Sequence, residues 1–239
     1  MVIAGLTSYL DVTTSAREGE DGGFIQQVIA QTTRSGFAVL ATRTLNASTN
    51  SGKHQGWMSV ETVQGSGGQF TWTVIDEGGS ERTRDKVFRE LLKAEAEAWR
   101  AGSKDGAALT TANYEFSPMP PSNGHVRIQL TPRREDPRLV IGTLTVSADG
   151  YPVMLEGRLA KSPSFWVKSV SIVKRFARIG GIALPTTIES VADVRMVGQA
   201  HFSMAYAYRE VDGRPVTDSP AAPSPTRAAD AVTLRPGSN

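Results

Sequence analysis

The chain has 239 residues, 39% hydrophobic and 21% charged, with 26 Lys and Arg against 24 Asp and Glu. That composition suits one large globular domain or two small ones, and a net charge of +2 gives little pull toward nucleic acid. With no cysteine, disulfides, thiolate catalysis, Cys-bound zinc and iron–sulfur clusters are excluded, and no run approaches the roughly 20 apolar residues of a transmembrane segment.

The opening MVIAGLTSYLDVTT lacks the basic and long apolar regions of an intact signal peptide. EGEDGG (18–23) reads as a polar, glycine-rich break before FIQQVIAQTTRSG. There Phe24, Ile25, Val28 and Ile29 predict a short amphipathic helix ending near Gly36. Three strand-like runs follow, FAVLATRTLNA, GWMSVETVQ and QFTWTVIDE, separated by the turn compositions NASTNSGK and GSGG. The period then changes. EGGSERTRDKVFRELLKAEAEAWRAG predicts the longest helix, about 81–101, with Ser80 as N-cap and Gly102 as its stop. Its apolar stripe is Val87, Phe88, Leu91, Leu92, Ala98 and Trp99. DGAALTTANYEFSPMPPSNG reads as irregular. From His125 onward six strand-like runs return, joined by turns short enough for an antiparallel meander. The last 27 residues, Gly213–Asn239, carry five of the 13 prolines and read as a disordered tail.

About nine strands and one long helix make an α+β chain with a single domain over 1–212. A sheet that long must curl, and the amphipathic helix is the element available to cover its concave face. His54, His125 and His201 have no partner at metal-ligand or catalytic spacing, so neither a metal nor a catalytic residue is expected, and no cofactor. EGGSER offers either an anion-binding helix start or an ordinary capped turn. Val140, Gly142, Leu144 and Val146 share one face of their strand, and bulky apolar residues alternate at Phe70, Trp72 and Val74, at Val153 and Leu155 against Met154, and at Phe202 and Met204. They make either a packed core or the wall of an apolar pocket; Phe70, Trp72, Leu91, Leu144 and Met204 are the candidate ligand contacts. Between Arg158 and Arg178 there are six basic residues and no acidic one. Arg158, Lys168 and Lys174 are therefore candidates for meeting a head group or an acidic partner, against the alternative of a solvated strand edge.

The run VRIQLTPRREDPRLVIGTLTVSADGYPVMLEGRL resembles the LolA/LolB-like family of envelope lipoprotein carriers. Its marks are a strand ending in L-T-P plus a basic residue, an acidic turn, an alternating strand and a D-G turn. FWVKSVSIVKRFARIGGIALPTTIESVADVRMVG, with a strand closing at I-x-L-P, is also similar to that superfamily. The resemblance implies a half-open β-barrel with the long helix and the short N-terminal helix on its hollow side. It also implies an interior that binds acyl chains, and a periplasmic or cell-envelope location. A non-enzymatic, monomeric carrier of lipid, lipoprotein acyl chains or another apolar ligand is the expectation, with an envelope protein as a further candidate partner. The alternative is an interaction domain whose hollow is filled.

Overall fold

Period-two alternation dominates the chain, and a curved, unclosed antiparallel sheet of eleven strands is what it builds. The computed structural model describes residues 11–33, 36–50, 52, 54–101, 107–196 and 198–217. Helix α1 (Asp11–Thr32) comes first, then β1 (Val39–Thr49), β2 (Gly56–Gln64) and β3 (Phe70–Gly79). A covering helix follows in three continuous pieces: α2 (Glu81–Thr83), a π-helical segment (Arg84–Arg89) and α3 (Glu90–Arg100). The rest is β4 (Tyr114–Ser122), β5 (His125–Pro132), β6 (Val140–Val146), β7 (Pro152–Leu159), β8 (Val167–Ile179), β9 (Ile182–Val194), β10 (Gly198–Val211) and β11 (Arg214–Pro215). Strand order is β3-β2-β1-β10-β9-β8-β7-β6-β5-β4, with β11 on β10. The meander β4–β10 is thus joined to the meander β1–β3 through the β1–β10 pair.

Three expectations are corrected. The glycine-rich stretch 18–23 is no break, because α1 runs through it from Asp11. The helix penalty of Gly22 and Gly23, about 1 kcal/mol each, is overridden by docking of the following turn, where Val28 is buried and Phe24 packs beside it. Part of the irregular stretch is β4, whose Pro118, Pro120 and Pro121 are tolerated because β4 is the edge of the sheet. The run FWVKSVSIVKRFARI reads in full as one strand, yet β8 begins only at Val167, and Phe165 and Trp166 precede it. Gly102 and residues 218–239 of the tail lie outside the described residues; Arg214–Pro215 pairs with β10 and Val216 packs on the core.

Register fixes one face. Opposite partners run Ile128–Leu144–Leu155–Lys174–Ile188–Met204–Leu45–Met58–Glu77 from β5 to β3, and opposite residues share a face. This one row touches two apolar cores. The first gathers Leu45, Met58, Val60, Phe70, Met204 and Tyr206 under Phe88 and Leu92 of the covering helix. The second gathers Tyr114, Ile128, Leu144, Val146 and Leu155 around Val28 of α1. In the adjoining row Gly142 faces Gly157. A Cβ on Gly142 would stand 2.0 Å from the Glu156 carbonyl oxygen, and one on Gly157 would stand 2.2 Å from that of Ile141. Only paired glycines permit that close approach, which suits a bend in a coiled sheet.

Candidate functional site

The covered part of the concave face is where polar groups are drawn into an apolar setting. β1 places Ala41, Arg43 and Leu45 inward, so a cation stands between two fully buried apolar residues. Arg43 retains only 7% of its side-chain exposure and faces Glu95 of α3, with Nη1–Oε2 at 2.6 Å and Nη2–Oε1 at 3.2 Å. Its guanidinium also lies 5.0 Å from the ring centroids of both Phe70 and Tyr206. Burial pushes the Tyr206 and Tyr208 phenols far above their ordinary range, so both are neutral donors. Their rings stack at 5.9 Å, and the Tyr208 hydroxyl donates to the Pro185 carbonyl at 2.6 Å.

Ser80 caps the covering helix as its sequence predicts, its Oγ accepting from the Thr83 N–H at 3.4 Å. The anion near this helix start is the chain's own. Glu77 of β3 accepts from Arg84 at 2.7 Å and from Arg89 at 2.8 Å. The Arg89 hydrogen bond, chiefly, holds the Glu77 carboxyl below its ordinary value. The helix is therefore tied to the sheet at Glu77 and again at Arg43.

Its phase differs from expectation. Phe88 and Leu92 are fully buried, and Ala96 and Trp99 continue that side. Val87 and Leu91 stay 40% and 37% exposed. At about 100° per residue the buried line Phe88, Leu92, Ala96 and Trp99 leaves Val87 and Leu91 on its flank, although the apolar stripe read from the sequence counts Val87 and Leu91 with it. Leu91 accordingly points away from the covered face.

Of the other predicted ligand contacts, Phe70 and Met204 are buried in the first core and Trp72 is packed against it, whereas Leu144 belongs to the second. The space between helix and sheet is filled by Phe88, Leu92 and the Arg43–Glu95 pair. Open clefts lie elsewhere. One of about 430 Å3 is lined by Trp57, Glu189, Val191 and His201 among others, and one of about 530 Å3 by Arg178, Val211, Arg214 and Val216 among others.

The basic run is divided by the pleat. Lys174 lies in the concave row between Leu155 and Ile188, with its ammonium 5.1 Å from the Phe176 ring. Burial lowers its pKa, against the pull of Glu95. Arg175 points the other way and pairs with Glu189 at 2.9 Å, Lys168 pairs with Asp193 at 3.5 Å, and Arg158 is exposed. Arg158 and Lys168 thus lie at the surface and Lys174 does not join them. Sequence reading missed Arg43 and Glu95. The signal was present: an arginine at an inward position of a strand, with a carboxylate in phase with Phe88 and Leu92 on the helix.

No protein-family model matches the chain, and no curated protein sequence matches it. Among solved structures it is similar to a LolA superfamily protein from Nitrosomonas europaea, at 11% identity and a TM-score of 0.44, over 83% of this chain and 94% of that one. It is also similar to a domain described as a candidate outer membrane lipoprotein-sorting protein from Vibrio parahaemolyticus. That match has 11% identity and a TM-score of 0.42, over 79% of this chain and 90% of the other. The open antiparallel sheet with helices against one face has the form implied by the LolA/LolB-like resemblance. Among the described residues no helix is long and apolar enough to cross a membrane.

Proposed function

We propose that the chain is a non-enzymatic binding protein of the cell envelope or periplasm. Its ligand is a lipid, a lipoprotein acyl chain or a molecule with a similar apolar tail. One observation carries this reading: beside a short apolar line, three ion pairs fasten the covering helix over the concave face. Only two of its large apolar side chains, Phe88 and Leu92, are fully buried. Ala96 and Trp99 pack partly against the core, and its polar ties are Arg43–Glu95, Glu77–Arg84 and Glu77–Arg89. Lifting the helix uncovers Leu45, Met58, Val60, Phe70 and Met204, with Trp72 beside them. That is an adaptable apolar wall, since Met side chains repack readily. Arg43 stands within it, ready to meet the anionic end of a fatty chain in place of Glu95. Burying a few hundred Å2 of chain at roughly 25 cal/mol per Å2 supplies several kcal/mol before ordering costs.

The test is titration with a fluorescent fatty acid, together with lipid extraction from the purified protein. A dissociation constant in the micromolar range, about −8 kcal/mol, is expected. Glu95→Gln should tighten binding by loosening the helix, and Trp72→Asp should weaken it. The second reading, an interaction domain with a filled hollow, is favoured by the complete burial of Phe88 and Leu92. Absence of probe binding in the wild type, with no lipid recovered, would decide for it.

A further inference from the structure

The largest exposed apolar side chains converge at one end of the sheet. Phe165 and Trp166, at the end of the β7–β8 loop, are 75% and 58% exposed, and Met196 in the β9–β10 turn is 94% exposed. The two loops are neighbours because β8 begins where β9 ends, at Val167–Val194. They are also fastened together. The Arg195 N–H donates to the Trp166 carbonyl at 2.8 Å, and Arg195 Nε donates to that of Phe165 at 3.0 Å. The Arg195 guanidinium lies 4.9 Å from the Phe165 centroid, and the two aromatic rings meet edge to face at 5.6 Å. Met196 holds a φ of 68°, a region that non-glycine residues disfavour. The aromatic pair is therefore fixed in an exposed position by its own loop contacts. Large apolar side chains exposed together on two fastened loops are what a contact surface requires.

Charge identifies the partner. Residues 158–168 and 193–196 contain Arg158, Lys161, Lys168 and Arg195 against one carboxylate, Asp193, which Lys168 holds. Trp and Phe at a tip with cations beside them match the layered chemistry of a bilayer surface. There aromatic rings settle at head-group depth and Lys and Arg meet phosphate. We propose that this end of the sheet docks on an anionic lipid surface. Phe165, Trp166 and Met196 enter the acyl boundary while Lys161 and Arg195 contact phosphates. The proposal stands on these loops and does not depend on acyl binding under the covering helix.

The experiment is co-sedimentation of the full chain with phosphatidylglycerol-containing vesicles and, separately, with phosphatidylcholine vesicles. Binding to the anionic vesicles should be at least about tenfold tighter than to the neutral ones, and should weaken at high salt as screening shortens. Phe165→Ser with Trp166→Ser, and independently Lys161→Glu with Arg195→Glu, should each reduce it about tenfold or more. Thermal unfolding of the aromatic variant should match the wild type, and its binding of the fluorescent fatty acid should be unchanged. Wild-type protein that ignores anionic vesicles, or an aromatic variant that still sediments with them, overturns the proposal. So does wild-type dimerisation that the aromatic variant abolishes, which would assign the tip to contact between copies. If the wild type fails to bind the fatty acid yet sediments with anionic vesicles, the docking surface stands and the acyl-binding reading falls.

Discussion

Replacing Glu95 by alanine leaves the Arg43 guanidinium buried beneath the covering helix without its carboxylate. Two charge-assisted hydrogen bonds are lost, at 2.6 and 3.2 Å. A hydrogen bond to a charged group contributes about 1.5–3 kcal/mol, and stranding one member of a fully buried pair costs about 3–5 kcal/mol. Glu95 keeps 29% of its side-chain exposure, so water recovers part of the loss, and about 2–3 kcal/mol is expected here. The contacts of Arg43 with Phe70 and Tyr206 survive the substitution. Arg43→Met removes the cation instead, and leaves a carboxylate that already reaches solvent, at a smaller cost. In the double variant neither charge is stranded, so its cost should fall short of the summed singles by about 2 kcal/mol. Urea unfolding followed by circular dichroism measures all four proteins, and an unchanged slope confirms that the same surface is exposed. If Glu95→Ala is within about 0.5 kcal/mol of wild type, or the two substitutions are additive, the pair does not fasten the helix.

Leu92→Ala should cost about 2–5 kcal/mol and Leu91→Ala well under about 1, measured by the same unfolding; equal costs would contradict the helix phase that buries Leu92 and leaves Leu91 exposed. Glu77 has its pKa lowered from 4.5, mainly by the Arg89 hydrogen bond. Its stabilisation is therefore complete above the unfolded value and lost as pH falls through the lower folded value. Glu77→Gln should accordingly flatten the acid limb of a stability–pH curve, and an unchanged limb refutes this. Lys174 has its pKa lowered by burial, so the unfolded chain binds its proton more tightly and stability from this group rises as pH climbs toward 10.5. Lys174→Met should raise the thermal midpoint by about 2–4 °C for each kcal/mol recovered; a lower midpoint would mean that the ammonium is well satisfied where it lies.

Strands were legible because a period of two survives whatever lies on either side, and β6 with its D-G turn shows this well. The helix existed where Ser80 and the apolar spacing put it. Its facing was only partly legible, since the apolar spacing also takes in Val87 and Leu91, and the sheet it docks on decides that Phe88 and Leu92 are the line that is buried. Edge placement of β4 is a tertiary fact, so its prolines read as irregular until the strand order is known. Likewise α1 passes through glycines because of what Val28 docks against, 86 residues and more along the chain at Tyr114 and beyond. Phe70 and Met204 were placed inward correctly by alternation, but alternation is silent on whether an inward residue lines a space or fills it. Arg43 shows the same limit from the polar side: its position in the alternation was plain, and its partner lay 52 residues away on another element.

The division of the concave face into two cores gives the covering helix a physical independence that one merged core would not. Lys174 sits in the row of opposed residues at the point where the second core, ending in Leu155, meets the first, beginning at Ile188. A half-buried cation at that seam, its pKa lowered by desolvation, interrupts the apolar contact that would otherwise join the halves. The second core is closed by Val28 of α1 and by the Tyr114 hydroxyl, which accepts the Val140 N–H at 3.0 Å. None of those residues belongs to the covering helix. On the proposed reading, lifting the covering helix would break the Arg43–Glu95 pair and uncover Phe88 and Leu92 without disturbing the contacts that close the second core. Opening by local release needs a free energy below that of global unfolding, and this separation supplies the structural means.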